Sequence, residues 1–225
     1  MEKIKELTGA ALYQDQLGGT EVARGSYKQG TYMVTYTGKE FYPLDPDPAD
    51  IDIKDIAQAL SNCCRFTGHV KNFYSVAQHS VIVSHLCEPE NALAGLLHDA
   101  SEAYLSDIAR PVKYTKQMEG YRKIEHKLEE VIFAKFNLDF PMTKDVKRAD
   151  DLALMTEGYY LFNPIPGWVT LRLADAGLTI PSYKLSTCWL PAIAKAMFMK
   201  RFILLTAGIN TEVDQEEIDA ATKEN

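Results

Sequence analysis

Two histidines and two aspartates between positions 79 and 150 are the residues of this chain best suited to chemistry. They are His79, the adjacent pair His98 and Asp99, and Asp150. Imidazole nitrogens and carboxylate oxygens together suit a hard or borderline divalent cation, such as Mn, Co, Fe, Zn or Mg. The four residues are therefore candidate metal ligands, and the rest of the chain must fold so that they meet.

The first candidate ligand lies near the start of a predicted helix. Helical spacing of apolar residues begins after Asp52 and predicts one helix before this ligand. Ser75 to Gln78 then has the Ser-x-x-Gln pattern of a capping box, which predicts a second helix from Ser75. His79 falls in its first turn or so.

The other three candidate ligands lie on two further predicted helices. Pro89 suits the first turn of a third helix, which ends near His98 and Asp99. Neighbours on a straight helix diverge by about 100°, so this pair can share one ion only where the helix is ending. Thr143 can cap a fourth helix that runs to about residue 162, with Asp150 roughly two turns in.

The whole chain reads as an all-α bundle with a minor β element near the N-terminus. Three helices would deliver ligands to one interior point, as bundles commonly do. We predict an arm at residues 1–30 and one domain at 31–225. The other predicted elements are a strand at 31–37, a short segment at 106–109 that stops at Pro111, a helix at 117–136, a long loop at 163–190 and a last helix from Pro191.

Composition limits the class of protein. The 225 residues are 46% hydrophobic and 24% charged, which is typical of a globular chain. The net charge of −7 argues against a nucleic-acid polymer as partner, because such binders carry a basic face. A small phosphorylated ligand remains compatible, since a bound metal ion can reverse the field inside one pocket.

The sequence predicts a cytoplasmic protein with no membrane partner. Residues 1–6 lack the apolar run of a signal peptide, and the apolar stretch at 192–205 is too short and too charged to span a bilayer. No cysteine belongs to a Cys-x-x-Cys pair, so we expect buried free thiols of a reducing compartment. The cysteines are Cys63, Cys64, Cys87 and Cys188.

The stretch around the His-Asp pair carries a family resemblance. Residues 98–114 read HDASEAYLSDIARPVKY. This string resembles the central motif of HD-domain phosphohydrolases, above all the bacterial 5'-deoxynucleotidases, in which His-Asp-x-x-Glu, a later Asp and Pro-Val-Lys recur at this spacing. The segments at 78–80 and 147–150 match that family's first His and last Asp. Residues 64–80 also resemble phage and prophage HD proteins, including phage dATP triphosphohydrolases. The resemblance covers about residues 37–155.

The resemblance implies an HD-domain helical bundle and a role for each matching residue. Glu102 and Asp107 would act as general acid and base. The structural alternatives are a surface carboxylate at a helix end for Glu102 and a helix N-cap for Asp107. Arg65 would clamp phosphate, because a guanidinium binds phosphate oxygens in a bidentate way. His69 would contact a polyphosphate, join a second metal or only fill a pocket wall, and Lys113 would assist with phosphate or be solvated. The implied metal ligands are His79, His98, Asp99 and Asp150.

The expected activity is metal-dependent hydrolysis of a (deoxy)nucleotide at its α-phosphate. The deoxynucleotidases pair their arginine with a tryptophan, whereas Phe66 follows Arg65 here. The base, the sugar and the choice between mono- and triphosphate therefore stay open. The alternatives are a phosphodiesterase acting on cyclic or signalling nucleotides and a nucleotide-sensing domain without turnover. By the same resemblance we expect a homo-oligomer.

Overall fold

The computed structural model describes residues 30–179, 181, 185 and 187–209. In these ranges the chain is mostly helical with one small antiparallel sheet, which confirms the all-α class with a minor β element. The predicted arm lies outside them except for Gly30, and its separation from the domain stays a prediction. The strands are β1 (Met33–Val34) and β2 (Glu40–Phe41). The helices are α1 (Ile53–Asn62), α2 (Val76–Leu86), α3 (Ala92–Leu97), α4 (Glu102–Leu105), α5 (Arg110–Lys113), α6 (Glu119–Lys135), α7 (Lys144–Leu161), α8 (Gly167–Asp175) and α9 (Pro191–Thr206).

Helix α2 lies at the centre of the bundle. It packs against α1, α3, α7 and α9, and its residues from Val76 to Val81 are almost entirely buried. The main core joins the apolar faces of α1, α2, α3, α6 and α9, while a smaller one lies between α2, α3, α6 and α7. Because His79 lies on α2 and because His98 and Asp99 directly follow α3, the apolar core fixes the position of the candidate site.

The predicted helix starts are confirmed where side chains cap them. Ser75 Oγ accepts a bond from Gln78 N at 3.1 Å, and Thr143 Oγ1 accepts one from Val146 N at 3.4 Å. Asp52 caps α1 through Lys54 N at 3.0 Å. Each bond satisfies a backbone donor that a helix start would otherwise leave unpaired.

Several predicted elements differ from those found. The strand at 31–37 is only two residues long, because the hairpin turns at Gly38, and β2 was not foreseen. Residues 106–109 form no helix. Helix α5 begins at Arg110 with Pro111 in its first turn, where the backbone N–H that proline lacks would have no partner within the helix. The long loop at 163–190 contains α8, which buries Val169 and Leu173.

The cysteines and the membrane prediction give two further findings. All four cysteines are free, but only Cys87 is buried; the expectation of four buried thiols was wrong for Cys63, Cys64 and Cys188, which are partly exposed. Among the described helices, none has the length and apolar character needed to cross a membrane.

Gly95 lets α3 approach α2 closely, and we expect Gly95→Ala to destabilise the protein by about 1–3 kcal/mol. An added Cβ would lie 2.6 Å from Cys87 Sγ and 3.2 Å from Ser84 Cα. Urea unfolding midpoints measure the loss. Gly120→Ala in α6 is the matched control, because its Cβ would meet nothing within 4 Å. Its stability should stay level or rise by up to about 1 kcal/mol. Equal midpoints for the two variants would contradict close packing at Gly95.

Candidate metal centre

The four predicted metal ligands converge on one point. His79 Nε2 lies 3.2 Å from His98 Nε2, 3.2 Å from Asp150 Oδ1 and 3.5 Å from Asp99 Oδ2. His98 Nε2 lies 3.2 Å from Asp99 Oδ2 and 3.8 Å from Asp150 Oδ1. The chain turns immediately after α3, so His98 and Asp99 can face the same point, as the end of a helix allows. The predicted meeting of these residues is therefore observed.

The site is closed on its histidine side and open on its aspartate side. The side chains of His79 and His98 are 0% and 5% exposed, whereas those of Asp99 and Asp150 are 21% and 37% exposed. Burial between α2 and α3 fixes the imidazoles. The aspartates border the solvent, so a ligand would approach the centre from their side.

Hydrogen bonds on the far side of each imidazole decide which nitrogen faces the centre. His98 Nδ1 lies 2.8 Å from the carbonyl oxygen of Gly95. Because a carbonyl oxygen can only accept a hydrogen bond, Nδ1 must be the donor. His79 Nδ1 donates to Glu157 Oε1 at 2.6 Å. In the neutral imidazoles both Nε2 atoms then carry lone pairs, and they point at each other across 3.2 Å.

This arrangement of acceptors fits a metal ion. Two imidazole lone pairs and two carboxylates repel one another unless a positive charge lies between them. Ligand atoms that each lie about 2.1 Å from one metal ion, at roughly 90–110°, are about 3.0–3.4 Å apart. Most of the distances here fall close to that range. The ligand atoms of His79, His98 and Asp150 all lie within 4.8 Å of one another and form a group that can hold a metal ion, with Asp99 beside it.

Without a metal ion, protons supply the positive charge. Burial and the neighbouring Arg65 lower the pKa of His79, but Glu157 and Asp150 outweigh them and raise it to about 9. Burial also opposes charge on His98, yet Asp99 and Asp150 raise its pKa. Burial raises the pKa of Asp150, whereas bonding and attraction to the two histidines bring it down to about 2. The carboxylates are therefore ionised and the imidazoles basic, as cation ligands should be.

We expect metal-free protein to lose stability as the pH rises from 6.5 to about 9. A proton is held more tightly on folded His79 than on the unfolded chain, so its contribution is complete below pH 6.5 and disappears as the pH passes through about 9. Thermal unfolding in EDTA measures this trend. With saturating Mn²⁺ the stability gained from the metal should instead grow with pH, because the ion replaces these protons. A metal-free protein that is more stable near pH 9 would refute the charge arrangement.

Arg65, the predicted phosphate clamp, borders the centre. It is 8% exposed; its Nη1 donates to Asp99 Oδ2 at 3.3 Å and its Nε donates to Glu157 Oε2 at 3.1 Å. An isolated bridge between Cys64 and Ser75 holds it beside the start of α2, with Arg65 N donating to Tyr74 O at 2.9 Å. Among the described hydrogen bonds Nη2 makes none, so one edge of the guanidinium is left for a ligand.

Glu157 is a site residue that was not predicted. It is 0% exposed, and besides Arg65 and His79 it accepts a bond from the Tyr74 hydroxyl at 2.9 Å. Burial raises its pKa, but the positive charges of Arg65 and His79 hold the pKa below its usual range. One signal was present in the sequence, because Glu157 follows Asp150 by seven residues, two helical turns, and so lies on the same face of α7.

Glu102 and Asp107 lie near the centre, as the resemblance implies. Glu102 is 7% exposed, its Oε2 is buried with no hydrogen-bond partner among the described residues, and burial with the charges of Asp99 and Asp107 raises its pKa well above the usual value. It is not a surface acid. Burial also raises the pKa of Asp107, which does not cap α5, since Ala109 occupies that position.

Neither of the other two predicted substrate residues bonds to the four ligands among the described contacts. Burial opposes charge on Lys113, but its Nζ pairs with the buried Glu125 at 2.8 Å, and this partner raises the Lys113 pKa. The side chain is largely buried, and the charges of Glu102 and Asp99 also act on it. His69 is exposed at the end of the turn Arg65–Gly68, in which Phe66 and Thr67 adopt left-handed backbone angles. Its role stays a prediction.

Aromatic side chains are of a type that could stack on a nucleobase, and five of those in the sequence divide into two groups. Tyr74, Tyr104 and Trp189 are buried, and Tyr104 stacks on Phe41 with ring centroids 3.9 Å apart. These three are core residues. Phe66 is half-buried beside Phe162, and Trp168 is 38% exposed on α8, so only these two retain an accessible ring.

Fold and site together define an all-α protein with a candidate metal centre of two histidines and two aspartates. Its sequence is 45% identical over 173 residues to the uncharacterized protein YfdR of Escherichia coli (strain K12), covering 76% of this chain and 94% of YfdR. It is also 36% identical over 122 residues to the uncharacterized protein RCAP_rcc00048 of Rhodobacter capsulatus, covering 50% of this chain and 62% of that protein. The chain belongs to the same family as YfdR. No model of a protein family matches it.

Proposed function

We propose that this protein is a metal-dependent phosphohydrolase that acts on (deoxy)nucleotides at the α-phosphate. The observation that carries the proposal is the convergence of two imidazole Nε2 atoms and two carboxylates at one point that is open on a single side. A buried guanidinium and a carboxyl group with raised pKa lie beside it. The resemblance of residues 98–114 to HD-domain phosphohydrolases supports the same activity.

The ligand set suits a divalent cation such as Mn, Co, Fe, Zn or Mg, held by His79, His98, Asp99 and Asp150. When bound, such an ion would polarise a phosphate oxygen and lower the pKa of a water molecule. The open aspartate side leaves room for both. The net charge of −7 makes this local positive charge necessary for an anionic substrate.

The chain's own residues supply the remaining steps. Hydrolysis forms a bond between water oxygen and the α-phosphorus and breaks the bond to the 5' oxygen. The free edge of Arg65 offsets the charge that develops on the phosphate oxygens. The departing 5' oxygen needs a proton, which Glu102, whose pKa burial raises, would donate. The attacking water loses a proton, which Asp107, the second carboxyl group, would accept.

The test is hydrolysis of a panel of nucleotides by the purified protein with Mn²⁺, Co²⁺ or Mg²⁺. Products from deoxynucleoside monophosphates, nucleoside monophosphates and deoxynucleoside triphosphates are separated by anion exchange. Free phosphate from monophosphates would identify a 5'-nucleotidase, and inorganic triphosphate from triphosphates would identify a triphosphohydrolase.

Failure of the proposal is equally visible in this panel. Metal-loaded protein that releases neither product contradicts the hydrolase. Cyclic and signalling nucleotides are then assayed for turnover, which would indicate a phosphodiesterase. Nucleotide binding without any turnover would indicate a sensing domain.

A further inference from the structure

Glu157 is a buried residue that contacts both a candidate metal ligand, His79, and the candidate phosphate clamp, Arg65. It is 0% exposed, and both of its carboxylate oxygens accept bonds. Oε1 accepts from His79 Nδ1 at 2.6 Å and from the Tyr74 hydroxyl at 2.9 Å, while Oε2 accepts from Arg65 Nε at 3.1 Å. One buried group thus bonds a candidate metal ligand and the candidate phosphate clamp.

We infer that Glu157 is a positioning residue that orients His79 for the metal ion and Arg65 for the substrate phosphate. The phosphate half of this inference rests on the proposed function, whereas the metal half requires only that the centre binds metal. In this role Glu157 would act through His79 and Arg65 and would contact neither the metal ion nor the substrate.

The bond to His79 fixes the ring. A donor at Nδ1 must point at Oε1, so the ring plane is set and the opposite nitrogen, Nε2, is directed to the point where His98 and Asp150 also face. Carboxylates that bond the outer nitrogen of a metal-binding imidazole commonly contribute about 10–100-fold to metal affinity. The 2.6 Å contact is the shortest of the three bonds to Glu157.

The bond to Arg65 fixes the guanidinium in the same way. Nε is held by Glu157 and Nη1 by Asp99, so the planar group bridges a buried carboxylate and a candidate metal ligand, while Nη2 makes no hydrogen bond to the described residues. Without Glu157 the buried guanidinium would keep only one carboxylate partner, Asp99 at 3.3 Å, and would lose the bond that holds its Nε. Loss of Glu157 should therefore release both the imidazole and the guanidinium, and metal binding and substrate binding should weaken together.

The experiment is Glu157→Gln, which keeps the shape but replaces one acceptor oxygen by an NH₂ donor. That donor must face Arg65 Nε or His79 Nδ1, which are donors themselves. We expect the Kd for Mn²⁺, measured by calorimetry, to rise about 10–100-fold, with a matching change in the absorption spectrum of the Co²⁺ form. At saturating Mn²⁺ the KM for the nucleotide should rise as well.

The matched control is Asp55→Asn, another buried carboxylate in a helix. Asp55 accepts bonds from Thr37 N at 2.6 Å and Thr37 Oγ1 at 2.9 Å, on the far end of α1 from Arg65. Its loss should lower stability but leave the Kd for Mn²⁺ unchanged, which separates positioning from a general structural effect.

The outcomes distinguish this inference from the proposed function. Unchanged Mn²⁺ affinity in folded Glu157→Gln overturns the inference and leaves the hydrolase proposal intact. Wild-type protein that binds Mn²⁺ but hydrolyses no nucleotide overturns the proposed function, and the Kd of the variant still decides the metal half. Wild-type protein that binds no metal overturns both. If the variant does not fold, nitrogen NMR of wild-type His79 decides: metal at Nε2 with the proton kept on Nδ1 supports the inference, and metal at Nδ1 overturns it.

Discussion

His98→Ala should remove metal binding and lower kcat by about 10³-fold or more, because a metal ion supplies several kcal/mol of transition-state stabilisation. His98 is one of the two buried candidate ligands. It is buried, its Nδ1 is fixed by the Gly95 carbonyl, and its Nε2 faces His79 and both aspartates. Alanine leaves a cavity on the closed side of the site, where solvent cannot supply an ordered ligand.

Metal content by atomic emission and turnover of the best substrate in the panel measure this effect. Asp99→Ala should likewise lower both metal content and kcat. The control is His126→Ala, which removes an exposed histidine from α6 and should leave metal content and kcat as in the wild type. Full metal content and full activity in both His98→Ala and Asp99→Ala would falsify the proposed centre.

The sequence predicted where the candidate metal ligands lie in the helices because local signals determine those positions. Ser75 and Thr143 cap the helices that carry His79 and Asp150, and such caps depend only on residues a few positions away. The turn after α3 was expected because adjacent ligands cannot share a straight helical face. Helix starts and ends, the residue types of the candidate ligands and the family resemblance together led to the prediction that these four residues meet.

The contacts around the ligands could not be predicted, since they join residues far apart in the chain. Arg65 and Glu157 are separated by 92 positions, and nothing local to either one indicates the other. Gln78 shows the same limit: its side chain does not complete the capping box but donates to Thr187 O at 2.7 Å and accepts from Trp189 N at 2.8 Å. Here a tertiary partner replaced the local one.

Glu157 and α8 were missed for related reasons. Helical faces were assigned from apolar residues, so a carboxylate on the buried face of α7 attracted no prediction, although paired donors make it part of the interior. The prolines and glycine around positions 164–167 indicated a loop, but Val169 and Leu173 pack inward and stabilise a helix directly after them. Packing outweighed local propensity in both cases.

Glu102→Gln should lower kcat by about 10²–10⁴-fold while leaving metal content unchanged, because the amide cannot donate an acid proton to the departing oxygen. Asp99, Asp107 and Asp150 crowd this region with negative charge, and Arg65 is already bonded to Asp99 and Glu157. Burial is the largest cause of the raised Glu102 pKa, so a bound cation that offsets Asp99 removes only part of the shift. The raised pKa favours the protonated form of Glu102, which is the form that can donate a proton.

The kcat–pH profile tests this role more sharply than the rate alone. In the wild type, activity should fall on the alkaline side as the acid loses its proton, and that limb should vanish in Glu102→Gln. Asp107→Asn is the matched comparison. Burial is the largest cause of the raised pKa of Asp107, as it is for Glu102, but Asp107 is less buried. We expect a smaller loss of kcat and a retained alkaline limb. A larger loss in Asp107→Asn, with the alkaline limb intact in Glu102→Gln, would assign proton donation to Asp107 instead.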